Sequence, residues 1–140
     1  METKKYLNQI VRYEKQIQNK LSEISRLRAL ASGISIKNDG DRVQTSSSKD
    51  KISGIVAKIV DLENELDLII DKRSLIVSQI EKMGDADLYD ALAKVYILGK
   101  DLKVVAIESN FSYRHFLRVY NNAIQEFETL YGKEYLEKSL

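Results

Sequence analysis

The chain has 140 residues, with 22 basic and 21 acidic side chains, one histidine, no cysteine and no proline. A chain of this size forms one domain, or one domain with an appendage, around a modest core. The lack of cysteine excludes a disulfide framework and a thiolate zinc site, and one histidine argues against a histidine-rich metal centre. No apolar run reaches membrane-spanning length and no signal peptide is evident, so we expect a cytoplasmic protein without metal or cofactor.

Two apolar stripes with alternating steps of three and four residues predict two long helices. The first helix is predicted from Lys4 to Ala31, and the second from about Lys49 or Asp50 to Met83. Between them, residues 32–48 contain two glycines and five serines, which predicts a loop. Residues 1–31 carry a net charge of +4 and residues 52–83 a net charge of −2, which favours pairing as an antiparallel helical hairpin, a coiled coil.

The second helix is apolar around much of its circumference, so it needs neighbours on more than one side. Either the C-terminal residues or a second copy of the chain could pack there, and we favour a homodimer in which two hairpins form a four-helix bundle. The residues expected to form the oligomer contact are the apolar ones of the helix stripe: Ile59, Leu62, Leu66, Ile69, Ile76 and Ile80.

Residues 84–140 are predicted to form a separate domain of three helices. Gly84 ends the second long helix, and a third helix runs to Leu98, where Gly99 takes a left-handed conformation. The last helix is predicted to end near Tyr131, with Gly132 as its terminator and a loosely held tail after it.

Residues Asp101 to Phe127 have the pattern of two helices joined by a tight turn. Asp101 and Ser112 are expected to be helix N-caps, and Asn110 is expected to be left-handed. The buried stripe of the second of these helices is predicted to contain Phe116, Val119, Ala123 and Phe127.

Basic and amide side chains are left on the outer face of that helix, as in the recognition helix of a helix-turn-helix. The sequence thus predicts an all-α fold, a hairpin in residues 1–83 followed by a small helix-turn-helix domain in residues 84–140. The residues expected to contact double-stranded DNA are Ser112, Tyr113, Arg114, His115, Arg118, Asn121 and Asn122, with Lys100 and Lys103 from the preceding segment.

This segment resembles region 4 of bacterial sigma factors. The matching features are Leu102, Ala106, the Asn110-Phe111-Ser112 corner and the closing Ala123-Ile124 before Phe127. The whole chain resembles Gram-positive phage and prophage proteins related to late transcriptional regulators of the RinA and ArpU type, through residues 6–7, 27–31, 40–46 and 55–63. The resemblance implies a DNA-binding regulator of late genes in the cytoplasm of a bacterial host. Tyr113 and Leu117 replace charged residues that are usual in sigma region 4, so the promoter preference of the relatives does not carry over.

The charge of residues 84–140 opposes this interpretation, because seven basic and nine acidic side chains give a net charge of −2. We therefore expect DNA binding as a dimer or with RNA polymerase as a partner. Two alternatives stay open: a DNA-packaging protein of the small-terminase kind, and a coiled-coil adaptor that binds protein. No nucleophile elbow or glycine-rich phosphate loop is present, so we expect no enzyme and no small-molecule substrate.

Overall fold

The computed structural model of the protein describes residues 2–38 and 45–136. These residues form five α-helices and no strand: α1 (Glu2–Asn38), α2 (Thr45–Glu81), α3 (Ala86–Leu92), α4 (Leu102–Glu108) and α5 (Tyr113–Leu136). A π-helical turn, Ala93–Ile97, continues α3. The prediction of an all-α fold is confirmed. In the described ranges, no helix is long and apolar enough to cross a membrane.

The chain divides into two compact units. One contains the first turns of α1, the last turns of α2 and everything that follows, residues 1–14 and 72–140, and is called the five-helix unit. The other contains residues 15–71 and is called the two-helix unit. The sequence placed the boundary at Gly84 instead, because heptad spacing does not reveal that the ends of α1 and α2 pack against the C-terminal helices.

The core of the five-helix unit draws on every one of its helices. Its fully buried large side chains come from all five helices: Leu7, Ile10, Ile80, Leu92, Val105, Phe116 and Phe127. Complete burial of an aliphatic or aromatic side chain stabilises a fold by about 1.5–3 kcal/mol. This core therefore fixes α4 and α5 to the ends of the two long helices.

An aromatic cluster joins the C-terminal half of α5 to the start of α1. The rings of Tyr6 and Tyr135 stack with centroids 4.1 Å apart, and Phe127 lies beside both. The Tyr135 hydroxyl donates to Oγ1 of Thr3 at 2.8 Å, and the Tyr6 hydroxyl donates to Oε1 of Gln79 on α2 at 2.7 Å. Since these hydroxyls have partners, the buried cluster carries little cost from unpaired polar groups.

A second tyrosine pair lies between the π-helical turn and α5. The hydroxyls of Tyr96 and Tyr120 are 2.5 Å apart and hydrogen-bonded, and both residues are buried. Burial raises the pKa of both phenols, because the ionised form would lose its hydration. The pair keeps its protons at neutral pH, and both tyrosines are part of the core.

The two-helix unit has a smaller core. Its buried hydrophobic residues are Ile17, Ile24, Leu27 and Leu66, with Ile59, Leu62 and Ile69 partly buried against them. Two ion pairs link α1 to α2, Lys20 with Glu65 at 2.7 Å and Arg28 with Glu63 at 2.6 Å.

The residues predicted to form the oligomer contact are instead occupied by contacts within the chain. Ile76 and Ile80 are buried in the core of the five-helix unit. Leu66 is buried in the two-helix unit, where Ile59, Leu62 and Ile69 pack on its cluster. The heptad stripe of α2 faces α1, so Leu66, Ile76 and Ile80 are not available to a second copy and their assignment is corrected, whereas Ile59, Leu62 and Ile69 are only partly buried.

The predicted ends of three helices were also wrong. The loop expected at residues 32–48 is helical at 32–38 and 45–48, because one glycine and several serines cost a helix less than about 1 kcal/mol each. The rest of the 40–46 motif, up to Gln44, lies outside the described residues. Helix α5 continues through buried Gly132 to Leu136, and the last four residues are not described.

Candidate functional site

Helix α4 begins directly after an extended residue. Asp101 has φ −69° and ψ 146°, the geometry of an N-cap, and its carbonyl accepts the first helical hydrogen bond, from the amide of Val105, at 3.1 Å. Its carboxylate makes no capping hydrogen bond, which corrects the predicted role of that side chain. Val105 and Ala106 are buried and attach the inner face of this short helix to the core.

The corner after α4 is a Schellman motif. Asn110 is left-handed, with φ 58°, and its amide donates to the carbonyl of Ile107 at 3.1 Å. The next amide, of Phe111, donates to the carbonyl of Ala106 at 3.0 Å, and the Phe111 ring packs on the core. This geometry confirms the predicted left-handed residue and makes the turn short and closed.

Helix α5 starts immediately after the corner. The side chain of Ser112 accepts a hydrogen bond from the amide of His115 at 3.1 Å, which confirms Ser112 as the N-cap. On the inner face, Phe116, Tyr120 and Phe127 are buried. Val119, predicted to be buried, is half-buried.

The outer face of α5 is polar and basic. Arg114, Arg118, Asn121 and Gln125 are all exposed and follow one another at steps of four, three and four residues, so they lie in one row. No acidic residue occurs from Ser109 to Gln125; Glu126 follows it off the row, and exposed Glu128 is the next position along the row. We call these four residues the polar row. Gln125 was missed by the sequence analysis, although its spacing from Arg118 is the signal that places it there.

Three other predicted DNA contacts flank the polar row. Asn122 and Tyr113 are exposed, Tyr113 by 42%. His115 is exposed too, but its ring packs edge-on against Phe111, with centroids 4.6 Å apart. His115 therefore lies beside the corner and about 100° around the helix from Arg114.

The two predicted lysine contacts differ. Lys103 is exposed on α4. Lys100 is half-buried, and its Nζ lies 2.8 Å from Oε2 of Glu108, at the other end of α4. Glu108 offsets the charge of Lys100, so the strongest free cations near the corner are Arg114, Arg118 and Lys103.

No ligand cluster accompanies this surface. Within the parts of the chain that the structure describes, no group of three or more histidine, aspartate or glutamate side chains is placed to hold a metal ion. A scan against protein-family models, a search of curated proteins and a search of solved structures each found no match. The functional argument therefore depends on the geometry of α4, the corner and α5.

Proposed function

We propose that the protein is a DNA-binding transcriptional regulator that reads double-stranded DNA with α5 as the recognition helix of a helix-turn-helix. The observation that supports this best is the exposed polar row on α5, which begins just after a closed corner and contains no acidic side chain. A basic, amide-rich helix face held at a fixed angle by a preceding short helix suits the major groove.

Each member of the polar row has a chemical role in this proposal. Arg114 and Arg118 can donate two parallel hydrogen bonds to guanine, and Asn121 and Gln125 can pair with adenine. Lys103, at the second residue of α4, contacts a phosphate. Ser112 is used as a cap, so its oxygen serves the helix and the adjacent amides face the DNA backbone.

Each copy offers only two or three basic side chains to DNA phosphates, namely Arg114, Arg118 and Lys103. Few counterions are therefore released on binding, so one copy binds DNA weakly. The regulator therefore acts as a homodimer, paired through the α1–α2 hairpin, or is recruited by RNA polymerase. Its assignment to the late genes of a phage, and to the cytoplasm of the phage's bacterial host, follows from the resemblance to phage regulators.

A second function, an adaptor that binds protein, is supported by the outer face of α4. Ile107 is 75% exposed and Val104 is 44% exposed, and these two residues lie one helical turn apart. Exposed aliphatic side chains beside a DNA-reading helix are also what a contact with RNA polymerase needs, so both functions can use this face.

Fluorescence anisotropy with labelled duplexes from a phage late promoter region tests the proposal. The wild type is compared with an Arg114→Ala, Arg118→Ala double variant at low and physiological salt. A control double variant, Arg12→Ala with Lys133→Ala, removes the same charge from exposed positions outside the polar row.

We expect the polar-row variant to lose at least about 10-fold in affinity, since each well-placed arginine contributes about 1–3 kcal/mol of discrimination. The control variant should bind within about threefold of the wild type. Equal losses in the two double variants would mean that only net charge matters, and would contradict sequence reading by α5. Binding of RNA polymerase without DNA would favour the adaptor.

A further inference from the structure

The two-helix unit has one side with exposed aliphatic side chains. On α1, Leu21 and Arg28 are seven residues apart, so they lie in one row along the helix. On α2, Val56, Glu63 and Ile70 follow one another at steps of seven residues and form a second row. The ion pair between Arg28 and Glu63, at 2.6 Å, joins the two rows on the same side of the unit.

The exposed fractions on this side are large for aliphatic residues. Leu21 is 44% exposed, Val56 48% and Ile70 39%, and Val60, one turn from Val56, is 48% exposed. We call Leu21, Val56, Val60 and Ile70 the apolar side. Several exposed aliphatic residues on one side of a helix pair favour a contact surface there.

A second pair of rows, one on α1 and one on α2, contains Lys20 and Glu65 and is mostly charged. The ion pair between Lys20 and Glu65 joins them at 2.7 Å. Glu23 lies one turn after Lys20, and Arg26 and, more weakly, Lys58 lower the pKa of its carboxyl. Leu30, 46% exposed, is seven residues after Glu23. Among the side chains of the unit that the structure describes, the apolar side has four exposed aliphatic residues, the charged rows have Leu30, and Leu68 lies on the outer face of α2.

The charges of the two helices indicate which partner fits the apolar side. Residues 15–31 of α1 contain four basic and one acidic side chain, and residues 50–71 of α2 contain two basic and six acidic ones. A second copy, turned so that its α2 faces the first copy's α1, places net charges of +3 and −4 opposite each other twice. A two-fold axis repeats each contact, so the same chain supplies both complementary surfaces.

We propose that the apolar side of the two-helix unit is the surface by which two copies of this chain form a four-helix bundle. The inference deepens the proposed function, on which it rests, by giving the homodimer a contact surface different from the heptad stripe. The row from Val56 to Ile70 spans about 21 Å of helix. An interface of this extent is small, so we expect a dimer Kd of about 1–10 µM.

Sedimentation equilibrium of the full chain without DNA, from about 0.1 to 100 µM, tests this proposal at concentrations on both sides of the expected Kd. The wild type should follow a monomer–dimer equilibrium. A Leu21→Gln, Val60→Gln, Ile70→Gln variant should dimerise at least about 30-fold more weakly, because six partly exposed aliphatic side chains per dimer are lost. Glutamine is a good helix former, so the helices should persist, as far-UV circular dichroism would show.

Leu68→Gln is the control, since Leu68 is 62% exposed on α2 but lies at least about 80° around the helix from Val56, Val60 and Ile70. We expect its dimer Kd to equal that of the wild type. A second measurement avoids the risk that the triple variant misfolds. The chain has no cysteine, so a thiol in Val60→Cys should react more slowly with maleimide above the dimer Kd than below it, whereas one in Leu68→Cys should not.

A wild type that stays monomeric at the highest concentration would overturn the proposal. So would a ring of eight or more copies, or a control variant that weakens dimerisation as much as the triple variant. Because neither measurement includes DNA, such a result would leave DNA reading by α5 to be tested separately.

Discussion

Replacing asparagine by alanine should have opposite effects at two positions, one in the corner before α5 and one on α5 itself. At Asn110, φ is 58°, and a residue with a β-carbon pays about 1–2 kcal/mol in the left-handed region, a cost that asparagine tolerates better than alanine. At Asn122, on the exposed face of α5, alanine is the better helix former by about 0.5 kcal/mol. We therefore expect Asn110→Ala to destabilise the protein by about 1 kcal/mol and Asn122→Ala to stabilise it by about 0.5 kcal/mol.

Urea denaturation followed by far-UV circular dichroism measures both effects. With a urea slope of about 2 kcal/mol per molar, the midpoint should fall by about 0.5 M for Asn110→Ala and rise by about 0.25 M for Asn122→Ala. Asn110→Gly should be at least as stable as the wild type, since glycine adopts this conformation freely. If Asn110→Ala were as stable as the wild type, the closed corner that sets the angle of α5 would be refuted.

Three further changes test the packing. Burial raises the pKa of Tyr96, so the folded protein keeps a proton that the unfolded chain releases above about pH 10. The free energy of unfolding should therefore be highest below that pH and should fall above it. Tyr96→Phe should reduce this alkaline loss by up to about 1.4 kcal/mol per pH unit, measured by urea denaturation at several pH values. Gly132→Ala should stabilise α5 by about 0.5–1 kcal/mol, because the new β-carbon would meet only movable side-chain atoms of Glu128 and Leu136 at 3.2 Å. Destabilisation in the same assay would mean that these two side chains cannot move away. Phe127→Ala should cost about 3–5 kcal/mol, whereas Leu130→Ala, at a position 49% exposed, should change stability by less than about 0.5 kcal/mol in the same assay.

The sequence predicts best what depends on neighbouring residues. The left-handed Asn110, the Ser112 cap and the buried Phe116 and Phe127 all follow from local spacing and capping chemistry, and all are confirmed. Long-range packing is different. Nothing within a few residues of Tyr6 indicates that its ring stacks on Tyr135, so the joining of α1 to the C-terminal helices was not predicted. Packing of the C-terminal residues on α2 was only the less favoured of two alternatives.

The candidate site shows the same limit. The exposure of Arg114 and Arg118 follows from the helix period and is confirmed, and the same period would have identified Gln125. The ion pair of Lys100 with Glu108 could not be inferred, because Lys100 precedes α4 and Glu108 is its last residue, and only the folded chain defines how the preceding segment lies against that helix. The carboxylate of Asp101 shows that an N-cap position does not ensure a capping side chain.

Selection of bound duplexes from a randomised DNA library, followed by sequencing, tests the central claim most directly. Wild-type protein should enrich one sequence motif, with guanine at a defined position, and Arg118→Ala should relax the preference there while leaving the rest of the motif. Enrichment of no motif by wild-type protein at physiological salt would contradict sequence reading by α5.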